Sequence, residues 1–263
     1  MTGHDLARLE EWFGIYTRRH YCPDPEEQKN ILLKIEHSSK VRKICARLAE
    51  GIGLAADRTL LAEAVGLLHD IGRFPQYSRY KTFRDALSVN HGRLGAEVLA
   101  EEGILSFLTE EEQAIITTAV HFHNAFAVPD LPEADRILFL KIARDSDKLD
   151  IWRIFTGLFE LPEEERPSEI GLGYPDTPGY SGEIISTILR SQPVSLKHIS
   201  CINDFKLLQL SWIADLNFPV SYRLLLEGDY INRLISLLPR CDEMAKVSGF
   251  LHEYAAEKAD EGR

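Results

Sequence analysis

Five segments of the sequence set a histidine or an aspartate on a face whose periodicity calls for an apolar side chain. His37 stands on the stripe of Val41, Ile44 and Leu48, and His69, with Asp70 beside it, falls in line with Leu61 and Val65. His91 opens a segment with Leu94, Val98 and Leu99 on its inner side, His121 and His123 close another, and Asp147 aligns with Leu140, Ala143, Ile151 and Ile154. Any one of them has an ordinary reading, as a hydrogen-bonded core histidine, a helix cap or a buried ion-pair partner. Burying all of them without a cation is costly, because each unpaired polar group forfeits its solvation. One or two divalent metal ions would satisfy the set together. A mixture of imidazole and carboxylate suits Fe, Mn, Zn, Co or Ni rather than calcium.

The elements that must position these groups are helices. The pattern predicts a short amphipathic helix over Leu6–Arg19, a break around Pro23 and Pro25, and a long helix from about Glu26 to Glu50, ended by Gly51 and Gly53. Asp57 is placed to cap the next helix, which closes on His69 and Asp70, with Gly72 as its stop and Arg73 just beyond. Pro75–Leu87 reads as an irregular polar and aromatic loop, in which Tyr77, Tyr80, Lys81 and Phe83 form either a lid or a packed surface. Thr109 followed by three glutamates is a capping box for the helix that carries His121, His123 and Asn124. Pro129 and Pro132 break the chain before an apolar helix from about Glu133 to Phe159, with Pro132 suited to its first turn. Leu161–Tyr180, rich in proline, glycine and charge, is expected to be a loop or insertion. Helical segments resume over Ile184–Arg190, Phe205–Leu216, Val220–Leu226, Tyr230–Leu238 and Asp242–Glu257, with Asp204–Phe218 as a core stretch. Strand-like alternation is almost absent, so the expected fold class is all-α. The expected organisation is a helical metal-binding domain over residues 1–160, a loop or insertion over 161–182, and further helices over 183–263 packed on the same domain.

The 263 residues allow one large domain, or a domain with an appendage, and ample core in either case. Hydrophobic content of 44% and charged content of 27% are those of an ordinary soluble globular protein. The sequence shows neither a signal-type segment nor an apolar run of bilayer-spanning length, so no membrane partner is expected. Cys22, Cys45, Cys201 and Cys241 have no CxxC spacing and are expected to be reduced thiols of a cytoplasmic protein. A net charge of −11 without any basic block argues against a nucleic-acid partner. It leaves room for a small anionic substrate, because a bound metal reverses the field locally. A homo-oligomer is left open.

The order His37, His69-Asp70, Asp147 on successive helices resembles the HD-domain superfamily of metal-dependent phosphohydrolases, and His91 with His121-x-His123 resembles its two-metal members. LLHDIG at the end of one helix and RDSDKLD inside a later one carry the resemblance, which spans roughly Ile31 to Trp152. It implies an HD-type helical bundle with additional C-terminal helices. It also implies a hydrolase that uses metal-activated water on a phosphomonoester, a phosphodiester or a small nucleotide, so the expected partner is a small phosphorylated, nucleotide-like substrate. By the same resemblance His37, His69, Asp70 and Asp147 hold a first metal. Asp70 then bridges to a second, bound by His91 and by His123, which is preferred over His121 because the family's histidine is often followed by asparagine. Two residues apart on a helix, His121 and His123 face different sides, and the spare one is a substrate contact, a proton donor or a solvent-facing group. Asp70, Arg73 and Lys148 are the expected catalytic residues, Arg73 and Lys148 as phosphate contacts; the alternative for Lys148 is an ion pair with Asp145 or Asp150. Asp145 either orients a ligand histidine or is a surface charge. Gly173-Tyr174-Pro175 resembles the signature of the HD-GYP phosphodiesterases, but it follows Asp147 where theirs precedes the last metal aspartate, so it is expected to be a turn. Two other functions fit the same residues: an HD-type di-iron oxygenase, and a non-catalytic, metal-stabilised sensing or binding module.

Overall fold

Capping chemistry starts the N-terminal helices. Helix α1 (Gly3–Arg18) begins with a reciprocal capping box between Thr2 and Asp5. Helix α2 (Pro25–Gly51) begins with Pro25 in its first turn and Asp24 accepting from the backbone N–H groups of Glu26 and Glu27. The computed structural model describes residues 1–169 and 171–261, and among them there is no strand: the fold is all-α. After α2 come α3 (Ala56–Leu68), α4 (Arg73–Tyr80), α5 (His91–Glu102), α6 (Glu110–Phe122) and α7 (Ala134–Phe159). No helix among the described residues is long and apolar enough to cross a membrane.

The chain divides into two compact units, the first Met1–Asp150 and the second from Ile151 onward. In the first, α2 packs along α3, α1 lies on α3, and α5 pairs with α6, which also reaches α3. Leu48, Leu61, Leu68, Ile71, Phe74, Ile115, Ile116 and Phe139 are fully buried. Each contributes about 1.5–3 kcal/mol of hydrophobic free energy, a frame stiff enough to hold polar side chains out of water. In the second unit, α12 (Asp242–Asp260) packs on α8 (Gly182–Ile188), α10 (Pro219–Glu227) and α11 (Tyr230–Ser236). Every residue of α9 (Ile202–Ser211) is buried, and Trp152 Nε1 donates to the Gln209 carbonyl at 3.2 Å.

Three local expectations change, and one open alternative is decided. Arg73–Tyr80 is a helix rather than loop: Pro75 sits in its first turn, where no N–H is needed, and Lys81 ends it in the left-handed region at φ 53°. Tyr77 and Phe83 are buried against each other with ring centroids 4.9 Å apart, so this segment is packed rather than a free lid, and only Tyr80 of the pair of tyrosines is exposed. Asp57 does not cap α3; Ala55 takes that position without a side-chain bond, and Asp57 lies in the first turn. Gly72 has φ −67° and caps α4, so it is not there for a left-handed stop. A Cβ on Gly72 would meet the His91 carbonyl oxygen at 2.1 Å and Gly95 N at 2.6 Å, so the glycine is required by close approach of two backbones. Past α7, Glu163–Glu165 forms a 3-10 turn, and Tyr174 N bonds the Gly171 carbonyl, making the Gly173-Tyr174-Pro175 region a turn; Ile170 lies outside the described residues. All four cysteines are free.

Candidate metal centre

Five elements of the first unit deliver the side chains. His37 comes from the middle of α2. His69 and Asp70 come from the non-helical turn between α3 and α4, His91 from the first residue of α5, His123 from the residue that ends α6, and Asp147 from α7. His37, His69, Asp70, His91 and His123 are all at most 4% exposed. Their ligand-type atoms form three overlapping groups, each within 4.8 Å: His37–His69–Asp70, His69–His123–Asp147 and Asp70–His91–His123.

The carboxylate of Asp70 organises the centre. Its Oδ2 lies 3.6 Å from His37 Nε2 and 3.8 Å from His69 Nε2, while its Oδ1 lies 3.4 Å from His91 Nε2 and 3.5 Å from His123 Nε2. Asp147 Oδ1 closes the first side, 3.0 Å from His37 Nε2 and 3.5 Å from His69 Nε2. Within each side the imidazoles meet tip to tip: His37 Nε2 to His69 Nε2 is 3.2 Å, and His91 Nε2 to His123 Nε2 is 3.0 Å. Ligands about 2.1 Å from one ion stand about 3.0 Å apart at a right angle and about 3.4 Å apart at the tetrahedral angle. The spacings here fall in or close to that range, except that Asp70 Oδ2 stands wider, at 3.6 and 3.8 Å from His37 and His69.

The other ring nitrogen of every histidine is occupied. His69 Nδ1 donates to the Gly66 carbonyl and His123 Nδ1 to the Val120 carbonyl, both at 2.8 Å. His37 Nδ1 donates to Asp150 Oδ2 at 2.7 Å, and His91 Nδ1 to Asp85 Oδ2 at 2.8 Å. A carbonyl only accepts, so in His69 and His123 the proton on Nδ1 is fixed by the backbone, and a neutral ring so held presents a lone pair at its inward Nε2. The Nε2 atoms of four histidines and two carboxylates therefore converge in a largely buried space, a donor set that fits divalent metal ions.

The electrostatics agree. Burial opposes ionisation of Asp70, yet Lys34, His69 and Arg73 hold its carboxyl well below the usual carboxylate range. Lys34 Nζ is 2.8 Å from its Oδ2, and Arg73 Nε is 3.4 Å from its Oδ1. Asp147 is likewise held ionised against burial, by its bonds to His37 and His69. Burial, aided by Arg73, pushes His91 down to about 3, so its Nε2 presents a lone pair to His123 at any neutral pH. At His37 burial and Lys34 oppose the charge, but Asp147 and Asp150 prevail and lift it to about 9. The first side can thus borrow a proton as its cation, whereas His91 cannot supply one to the second.

A model of the HD domain family matches residues 35–152 of the chain. This segment belongs to the HD-domain superfamily. The match takes in all six converging side chains and the α2–α7 framework from Ile35 to Trp152. No curated protein and no solved structure matches the chain.

Within the HD domain the other expected site residues are placed as follows. His121 stays outside the cluster: two residues before His123 its ring is turned away and lies against Phe122, with centroids 4.4 Å apart. Arg73 stands at the start of α4 beside the centre, its Nη1 donating to the Phe83 carbonyl, to Gln76 Oε1 at 2.9 Å and to Asp85 Oδ1 at 3.1 Å. Lys148 follows Asp147 on α7, is nearly buried, and has its Nζ 3.4 Å from the Arg144 carbonyl. The bond that orients His37 comes from Asp150 rather than Asp145. Sequence reasoning missed Lys34, Asp85 and the orienting role of Asp150. Helical spacing could have found two of them, since Lys34 lies three residues before His37 on α2 and Asp150 three after Asp147 on α7.

Proposed function

We propose that this HD domain is a binuclear metal-dependent phosphohydrolase acting on a small phosphorylated, nucleotide-like substrate. The observation that carries the reading is Asp70, whose two oxygens face two separate pairs of histidine Nε2 atoms. His37, His69, Asp147 and Asp70 Oδ2 would hold one ion, and His91, His123 and Asp70 Oδ1 the other. When bound, such a pair supplies a water of lowered pKa and Lewis-acid stabilisation of a phosphoryl oxygen.

The chain's own groups receive the anion. Solvent reaches the centre at Asp85, Asp147, Lys34 and Arg73, whose side chains are 30%, 18%, 16% and 15% exposed, while the histidines stay covered. Lys34 and Arg73 flank opposite oxygens of Asp70 and both stand over the ring of buried Phe83, at 5.3 and 5.7 Å from its centroid. Phe83 keeps these two cations desolvated on one side and aimed at the centre, where they would neutralise phosphoryl oxygens of an arriving substrate. Lys148, buried and next to Asp147 in sequence, would add positive potential on α7.

The test is metal content per chain by elemental analysis of untagged protein, followed by a phosphomonoester, phosphodiester and nucleotide panel with Mn, Fe, Co, Ni or Zn. About two equivalents and metal-dependent phosphate release are expected. No uptake of any of these ions would refute the reading, and iron-dependent oxygen consumption without phosphate release would replace it with the oxygenase.

A further inference from the structure

We infer that Asp85 is the positioning residue for one half of the centre: a single carboxylate fixes both the His91 imidazole and the Arg73 guanidinium. The inference rests on the binuclear reading above. Asp85 lies on a 3-10 turn, Asp85–Leu87, between α4 and α5. It accepts from His91 Nδ1 at 2.9 and 2.8 Å, Arg73 Nη1 at 3.1 Å, Gln76 Nε2 at 2.9 Å and Asn124 Nδ2 at 3.0 Å, and His91 N approaches to 3.4 Å. Those donors come from α4, α5 and the residue just after His123. Gln76, fully buried, also donates to Ser88 Oγ and the Val89 carbonyl, which pins the turn that presents Asp85.

The two halves are oriented differently, and this gives the inference its content. His69 and His123 are aimed by backbone carbonyls three residues earlier, which no side-chain substitution removes. His37 is aimed by Asp150 on α7, out of reach of Asp85. On the His91–His123 side, His91 is the only histidine whose orientation hangs on a side chain, and that side chain is Asp85. With the carboxylate gone, His91 loses the acceptor that fixes its tautomer and raises its basicity, and Arg73 Nη1 loses the charged one of its three acceptors. Orienting groups of this kind alter metal affinity about 10- to 100-fold.

The experiment titrates Mn(II) alone into chelator-stripped protein, reading free Mn by electron paramagnetic resonance and checking the fold by circular dichroism. Asp85→Asn keeps the size but turns an amide N–H₂ towards a cage of donors. The expected result is two classes of Mn in the wild type, with the second weakened about 10- to 100-fold in Asp85→Asn and the first unchanged. Equal weakening of both classes, or of neither, would overturn the inference and make Asp85 a staple of its loop. Should Asp85→Asn not fold, Asp85→Glu, which keeps the charge but displaces it by a methylene, is judged by the same two criteria. A wild-type protein with no second class of Mn would overturn the binuclear reading itself, and the inference with it.

Discussion

Replacing Asp70 by asparagine tests the shared carboxylate with almost no change of shape. The amide must put its oxygen on one side and its nitrogen on the other. Lys34 Nζ donates to Oδ2 at 2.8 Å, whereas Arg73 Nε is only within 3.4 Å of Oδ1, so the oxygen will stay with Lys34. The new N–H₂ then faces His91 and His123, 3.4 and 3.5 Å from their Nε2 atoms, as a donor where a ligand was needed. That side keeps two protein ligands and should lose its ion outright. The His37–His69–Asp147 side keeps a neutral oxygen in place of a charged one. Structural zinc binding of about 10–16 kcal/mol over four ligands implies about 3 kcal/mol per ligand, or roughly a hundredfold weaker binding there. Equilibrium dialysis with elemental analysis over a range of metal concentrations measures both sides at once, and Asp70→Ala should lose both ions. An Asp70→Asn protein that is folded and still binds two equivalents with unchanged affinity would refute the shared-carboxylate geometry.

Lys34→Ala removes one of the two cations over Phe83 and should raise KM for a phosphorylated substrate about tenfold while both ions are retained; an unchanged KM would remove Lys34 from substrate binding. Gly72→Ala forces a Cβ into the His91 carbonyl at 2.1 Å and should lower stability by about 1–3 kcal/mol or more, seen as a midpoint shift in urea; an unshifted midpoint would contradict the close packing. In metal-free protein His91 is neutral down to about 3 against an ordinary 6.5, so its contribution to stability is present above 6.5 and is lost as pH falls towards 3. His37, raised to about 9, contributes stability that is full below 6.5 and lost as pH rises through 9. Melting temperature of the stripped protein should therefore fall on both limbs, and a profile flat from the acid limb to pH 9 would show that neither shift exists.

The fold class was legible because helical periodicity is strong along most of the chain, and the capping box at Thr109 starts α6 as its spelling suggests. His37, His69, His91 and Asp147 stood out for a related reason, each being polar where its neighbours one turn away are apolar. Asp70 came with His69 as its neighbour, and His123 was preferred over His121 only through the family resemblance. Periodicity has no purchase on Asp85, which sits in an irregular turn and acquires its role only when α4, α5 and the end of α6 come together. The carbonyls that aim His69 and His123 are invisible for a simpler reason, since any residue supplies one. Helix α4 was missed because its order comes from burying Phe74, Pro75, Gln76 and Tyr77, not from an apolar stripe. Gly72 shows how a correct residue acquires a wrong reason: glycine after a helix suggests a left-handed stop, while here the missing side chain makes room for His91.

The locked imidazoles also bear on which ion the proposed centre would carry. All four rings are held by their Nδ1 bonds before any ion arrives, so none can turn to favour one guest or exclude another. A cavity of fixed nitrogen and oxygen donors ranks divalent ions by the Irving–Williams order, with copper and zinc above iron and manganese. Selection then falls to whatever the surroundings supply. Two preparations of the same polypeptide from media differing only in trace elements should differ in turnover, and stripping and reloading both with one ion should make them alike.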